Sequence, residues 1–82
     1  MTQHQIVTVG VPGPGAEDVL VATDGTVWTG TADGAIHALD PEGRSTRLVA
    51  RTGGRPLGLE WLPDGRLLVC DAECGLLAVS TD

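Results

Sequence analysis

A β-propeller with two four-stranded blades per chain is the fold class predicted here, an all-β architecture signalled by three features of the 82 residues. Turn signals recur about every ten residues, β-type runs lie between them, and the second half of the chain repeats the first. The turns are Thr23-Asp24-Gly25, Ala32-Asp33-Gly34, Pro41-Glu42-Gly43, Gly53-Gly54, Pro63-Asp64-Gly65 and Glu73-Cys74-Gly75. Glycine enters the left-handed region that tight hairpins need without a Cβ penalty, and Asp tolerates that region or bonds the backbone ahead of it. Asp24, Gly25, Asp33, Gly34, Asp64, Gly65 and Gly75 are therefore assigned as structural turn residues.

The elements follow in order. A first strand is predicted over residues 5–9. The first blade follows with strands over 18–22, 26–29, 35–39 and 46–51, running from the innermost strand (A) to the outermost (D). The second blade has strands over 57–61, 66–70 and 76–80, equivalent to A, B and C. None of these runs is long enough for a helix. Asp24-Gly25 superposes on Asp64-Gly65 forty residues on, which places Val19 on Leu59, Val21 on Trp61, Val27 on Leu67 and Trp28 on Leu68. One inserted residue then sets Gly34 on Gly75 and Ile36 on Leu77.

The strand order is D-ABCD-ABC. Residues 1–82 read as a single two-blade unit, with blade strands inside 5–51 and 57–80 and with strand 5–9 completing a blade of a neighbouring copy. A three-stranded blade leaves a row of unpaired N–H and C=O groups, and head-to-tail copies satisfy them. Such a contact is heterologous and closes into a ring, so the expected partner is the chain itself; the alternative is a longer chain whose further blades supply the same contacts.

Composition narrows the ligand. Eleven acids against five basic residues give a net charge of −6, which excludes nucleic acid and an anionic membrane as partners and leaves a cation or a neutral small molecule. Met1-Thr-Gln-His4 has no basic leader region and no apolar run approaches the ~20 residues of a membrane span, so the chain reads as soluble and cytoplasmic. Cys70 and Cys74 have neither a third Cys nor a His nearby and read as free thiols. With no Phe or Tyr, Trp28 and Trp61 are the expected anchors between adjacent blades.

Glu17 and Asp18 stand at the start of the first innermost strand, Arg55 and Leu57 at the start of the second, and these four are predicted to line the channel. Successive side chains alternate, so Asp18 turns away from Glu17 and also reads as a turn cap. An Arg55–Glu17 pair would replace a metal, because a guanidinium matches carboxylate geometry. Asp71 reads as an Asx-type turn residue. His4 belongs to no cluster, and His37 reads as a strand residue with its polar edge in water. Catalytic residues are unknown at this level: no nucleophile, base and orienting acid share a pattern, and no Ser or Thr sits in a nucleophile elbow.

Gly15-Ala16-Glu17-Asp18-Val19, Thr23-Asp24-Gly25-Thr26-Val27-Trp28-Thr29-Gly30 and Ala32-Asp33-Gly34-Ala35-Ile36 together resemble the first blade of strictosidine synthase-like proteins. Gly54-Arg55-Pro56-Leu57-Gly58-Leu59, Leu67-Leu68-Val69-Cys70-Asp71-Ala72 and Gly75-Leu76-Leu77 resemble their next blade. The resemblance implies a six-bladed propeller of the group that includes gluconolactonases, paraoxonases and strictosidine synthase. Three copies of two blades make six, so the expectation is a homotrimer. It further implies that Glu17 matches a glutamate that helps hold Ca2+ in the channel of paraoxonase-like relatives. Calcium takes six to eight oxygens, and three Glu17 carboxylates would face one axis. The family's other metal ligands and the synthase's catalytic glutamate lie in later blades. The expected function is thus a self-assembling propeller module whose channel binds a cation or small ligand. The alternative is a calcium-dependent lactonase or esterase of which this chain is a fragment or minimal form, inactive by itself. A blade-surface interaction module is a third reading.

Overall fold

The computed structural model describes residues 4–82. Seven strands form, β1 Val19–Val21, β2 Val27–Gly30, β3 Ala35–Leu39, β4 Thr46–Arg51, β5 Pro56–Trp61, β6 Leu67–Asp71 and β7 Gly75–Val79. They make two antiparallel meanders, a four-stranded sheet β1-β2-β3-β4 and a three-stranded sheet β5-β6-β7. Within each sheet sequence neighbours pair through short turns, and the chain changes sheets between β4 and β5. At β1–β2 the turn is closed by Gly25 at φ 89° and by the Thr26 N–H donating to Asp24 Oδ1 at 2.9 Å. The β5–β6 turn repeats it, with Gly65 at φ 90° and the Arg66 N–H donating to Asp64 Oδ1 at 3.1 Å.

The repeat is tighter than the one-residue insertion predicts. Val27↔Leu39 in the first sheet becomes Leu67↔Val79 in the second, and Gly30↔Ile36 becomes Cys70↔Leu76, so the offset of forty holds through the third strand. Ile36 therefore corresponds to Leu76, not to Leu77. What shifts is the positive-φ glycine inside the turn, from Gly34 to Gly75. The two turns have the same length but different fastenings. Asp33 Oδ1 accepts the Ala35 N–H at 3.3 Å, whereas Asp71 Oδ1 accepts the N–H groups of Glu73 and Cys74, both at 2.9 Å.

The core lies between the sheets. Trp28, Ile36 and Ala38 of the first sheet meet Leu59, Leu67 and Val69 of the second, with Leu20, Val49, Trp61, Leu77 and Val79 packed around them. Trp28 and Trp61 meet edge to face, their ring centroids 5.2 Å apart and their planes at 85°, and Arg47 lies over the Trp28 ring at 5.8 Å. That geometry suits the aromatic quadrupole and supplies the bulk that the missing Phe and Tyr would give.

Residues 5–9, predicted as a strand, form none within the single chain. Ile6 is 95% exposed and Val7 73% exposed. A strand exists only where a second backbone pairs with it, and no sheet edge of this chain reaches these residues. The reading of Met1–His4 as lacking a leader rests mainly on residues 1–3, which lie outside the described residues. Among the described residues no helix is long and apolar enough to cross a membrane.

Candidate functional site

Three polar clusters arise where the strands turn. The first lies at the start of the inner strands. Arg55 Nη2 stands 3.4 Å from Glu17 Oε1, each side chain about half exposed. The segment before β1 and the segment before β5 occupy equivalent places in adjacent sheets, which brings together two residues distant in sequence. Leu57 sits at the bulge of β5 between Pro56 and Gly58 and is part exposed.

Asp18 is turned into the seam between the sheets. Its Oδ1 accepts the Val19 N–H at 2.8 Å, its Oδ2 accepts the Leu59 N–H of the other sheet at 2.8 Å, and its carbonyl accepts the Thr29 hydroxyl at 2.6 Å. One carboxylate thus joins two blades through backbone donors.

The second cluster surrounds Asp71, which is 3% exposed at the end of β6. Besides Glu73 and Cys74, it accepts the Arg55 N–H at 3.0 Å and the Thr52 hydroxyl at 2.6 Å. Burial pushes its carboxyl upward, but the hydrogen bonds from Thr52, Arg55, Cys74 and Glu73 outweigh burial and hold it below the ordinary carboxylate range. Gly54 is required beside it, since a Cβ there would collide with the Asp71 carboxylate. Asp71 is more than a turn residue: it ties the β4–β5 crossover to the β6–β7 turn. The Thr52 half of the tie lies 19 residues away and nothing local in the sequence marks it.

The third cluster occupies the equivalent place in the first sheet, around the fully buried Thr31. Its hydroxyl donates to Asp33 Oδ1 at 2.5 Å and lies 3.2 Å from His37 Nε2. His37 is buried, in contrast to the water-facing edge expected for it. It shares a face of β3 with Ala35 and Leu39, and all three are buried. Burial lowers its pKa, Asp33 raises it and Arg51 lowers it further, with a net decrease. Thr31 donates to a carboxylate and is closed in, so it is a fastened hydroxyl and not an activated nucleophile.

The residues of this chain do not by themselves fit a calcium site. Among the described residues no three His, Cys, Asp or Glu side chains converge as metal ligands. Glu17 faces a guanidinium, and both carboxylate oxygens of Asp18 are taken by backbone N–H groups. Cys70 and Cys74 are free thiols, with burial, Asp71 and Glu73 raising the pKa of Cys74.

Comparison with known proteins agrees with this geometry of repeated sheets. Residues 1–39 match the family described as strictosidine synthase-like, N-terminal. The first half of the chain is thus similar to the N-terminal part of strictosidine synthase-like proteins, and the chain's two antiparallel all-β sheets are consistent with that likeness. Its similar relatives include the adipocyte plasma membrane-associated protein of Salmo salar, 40% identical over 66% of this chain and 16% of the relative. The protein of the same name from Danio rerio is 39% identical over 65% of this chain and 15% of its own length. The chain thus spans about a sixth of the length of the curated relatives it matches. No solved structure matches it.

Proposed function

We propose that the chain is a propeller-building module which completes its sheets by strand exchange with further copies, residues 5–9 of one copy becoming the fourth strand beside β7 of the next. Three copies would then make a six-bladed ring around a central channel. The observation that carries this is a repeated crossover. The chain leaves β4, passes through Thr52–Arg55 and enters β5, and the Arg55 carbonyl accepts the Ala72 N–H at 2.8 Å. In front of β1 the same tie recurs, the Pro14 carbonyl accepting the Ala32 N–H at 2.7 Å.

Residues just before Pro14 therefore have the course of a chain leaving an outer strand. Val9 lies against Gly43 in the β3–β4 turn, as Arg47 of β4 reaches the Thr81 carbonyl just beyond β7. The outer edge of β7 carries no partner among the described residues, and Leu76 on that strand is 71% exposed. Pairing the two segments would satisfy both rows of backbone groups and cover Ile6, Val7 and Leu76 together.

Hydrogen exchange tests the pairing directly. In the assembled protein the amides of Ile6–Val9 should include protected ones, and the protection should vanish on dilution and in a Val7→Pro variant, which removes a ladder donor. Amides of residues 5–9 that exchange freely in an assembled species would contradict strand exchange.

A further inference from the structure

The two sheets differ in what covers them. The first turns Leu20, Trp28, Ile36 and Ala38 onto the second, which answers with Leu59, Trp61, Leu67 and Val69. The offset of forty carries the first set onto Glu60, Leu68, Leu76 and Ala78, with Gly58 and Cys70 matching Asp18 and Gly30. Gly58, Glu60, Leu68, Cys70 and Leu76 of this set line an open groove on the second sheet that extends to Asp18 and Leu59 at the seam. Running the offset backward carries Leu59, Trp61 and Leu67 onto Val19, Val21 and Val27. Val19 is 57% and Val21 63% exposed, on the side of β1 opposite the core-facing Leu20.

We propose that the open face of the second sheet is the docking surface for the first sheet of a second copy of this chain, which seats Val19, Val21 and Val27 on Leu68, Cys70 and Leu76. The docking rests on the ring proposed above and adds which side chains make its seam. The apolar contacts of the seam inside the chain have counterparts that fit in kind. Trp28 against Trp61 becomes Leu68 against Val21, a pair of smaller apolar groups. Asp18 accepting the Leu59 N–H becomes Gly58 facing the Val19 N–H, which needs no outside acceptor because its own Asp18 Oδ1 already takes it at 2.8 Å. The buried Gly30, where Pro56 leaves no space for a Cβ, becomes Cys70. Glu60, at the position of Leu20, is exposed in the single chain, and its Oε1 accepts the Trp61 N–H at 3.1 Å. Val9 already lies against Gly43 in the β3–β4 turn, at the end of the segment that would be the outer strand of such a neighbour, so the neighbour needs only three strands, which is what β5–β7 supply.

A charge-reversal cycle on the full chain tests the seam. Leu68→Glu and Val21→Lys each place one charge in an apolar contact and should each reduce the assembled mass to that of one chain, with the far-ultraviolet circular dichroism of the sheets retained. Joined in one chain, the two changes put Glu against Lys across every seam and should restore assembly. Leu68→Glu that assembles as wild type does would overturn the docking. In a Cys74→Ser background, alkylation of Cys70 should slow about tenfold or more on assembly and recover on dilution. An assembled species whose Cys70 reacts at the free rate leaves strand exchange standing and overturns the docked face. A wild-type chain with the mass of a monomer overturns the ring and the docking with it.

Discussion

Asp71 organises more backbone than its place at a strand end suggests. Three N–H groups and one hydroxyl converge on its carboxylate, from the turn after β6 and from the crossover before β5. Thr52→Val removes one charge-assisted bond and should cost about 1–3 kcal/mol, read from the urea midpoint. Asp71→Ala, which orphans three N–H groups and a hydroxyl at once, should cost more than Thr52→Val in the same titration. The pH dependence follows in sign. Asp71 is held below its ordinary range, so its stabilisation is fully present above the unfolded value near 3.9 and is lost progressively below it, as pH falls through the lower folded value. His37 is also lowered, so its neutral form belongs to the fold and stability declines as pH falls below about 6.5, where the unfolded imidazole takes a proton. Urea midpoints should therefore hold steady above about pH 7 and fall in two stages on acidification. His37→Gln should remove the upper stage and leave the lower one. At this scale the sequence was half legible. Asp71 and the Asp-Gly pairs announce turns by residue type, but Thr52, Thr31 and the burial of His37 depend on which strands come to flank them.

At the scale of elements, the repeat did most of the predictive work. Seven strands fall where periodicity and turn residues put them, with ends displaced by about a residue, because alternation and Asp-Gly chemistry are local signals. Two features were not legible. The third strand of the second sheet keeps the offset of forty because a side chain, Asp71, fastens the turn that a shifted glycine opens. Residues 5–9 have the composition of a strand and no strand within this chain, since pairing is a property of two segments. The seam between the sheets rests on few large groups. Trp28→Ala would remove the edge-to-face contact with Trp61 and the Arg47 stacking, at about 3–5 kcal/mol. In so small a unit that loss should abolish the cooperative thermal transition.

For the whole molecule, two repeated antiparallel sheets packed across an apolar seam are consistent with a propeller fragment, and residues 1–39 are similar to strictosidine synthase-like proteins. In the proposed ring the Glu17–Arg55 pair recurs three times around the axis and balances its own charge. Calorimetric titration with Ca2+ should accordingly give no binding heat for the wild type. Arg55→Ala, which bares three carboxylates to one another, should acquire it. The central claim is that the unpaired edge and open face of one copy are met by another copy. Sedimentation equilibrium of the full chain measures this most directly: the account predicts one species of three times the 8.4 kDa chain mass, dissociating on dilution, and a species of 8.4 kDa at every concentration would contradict it.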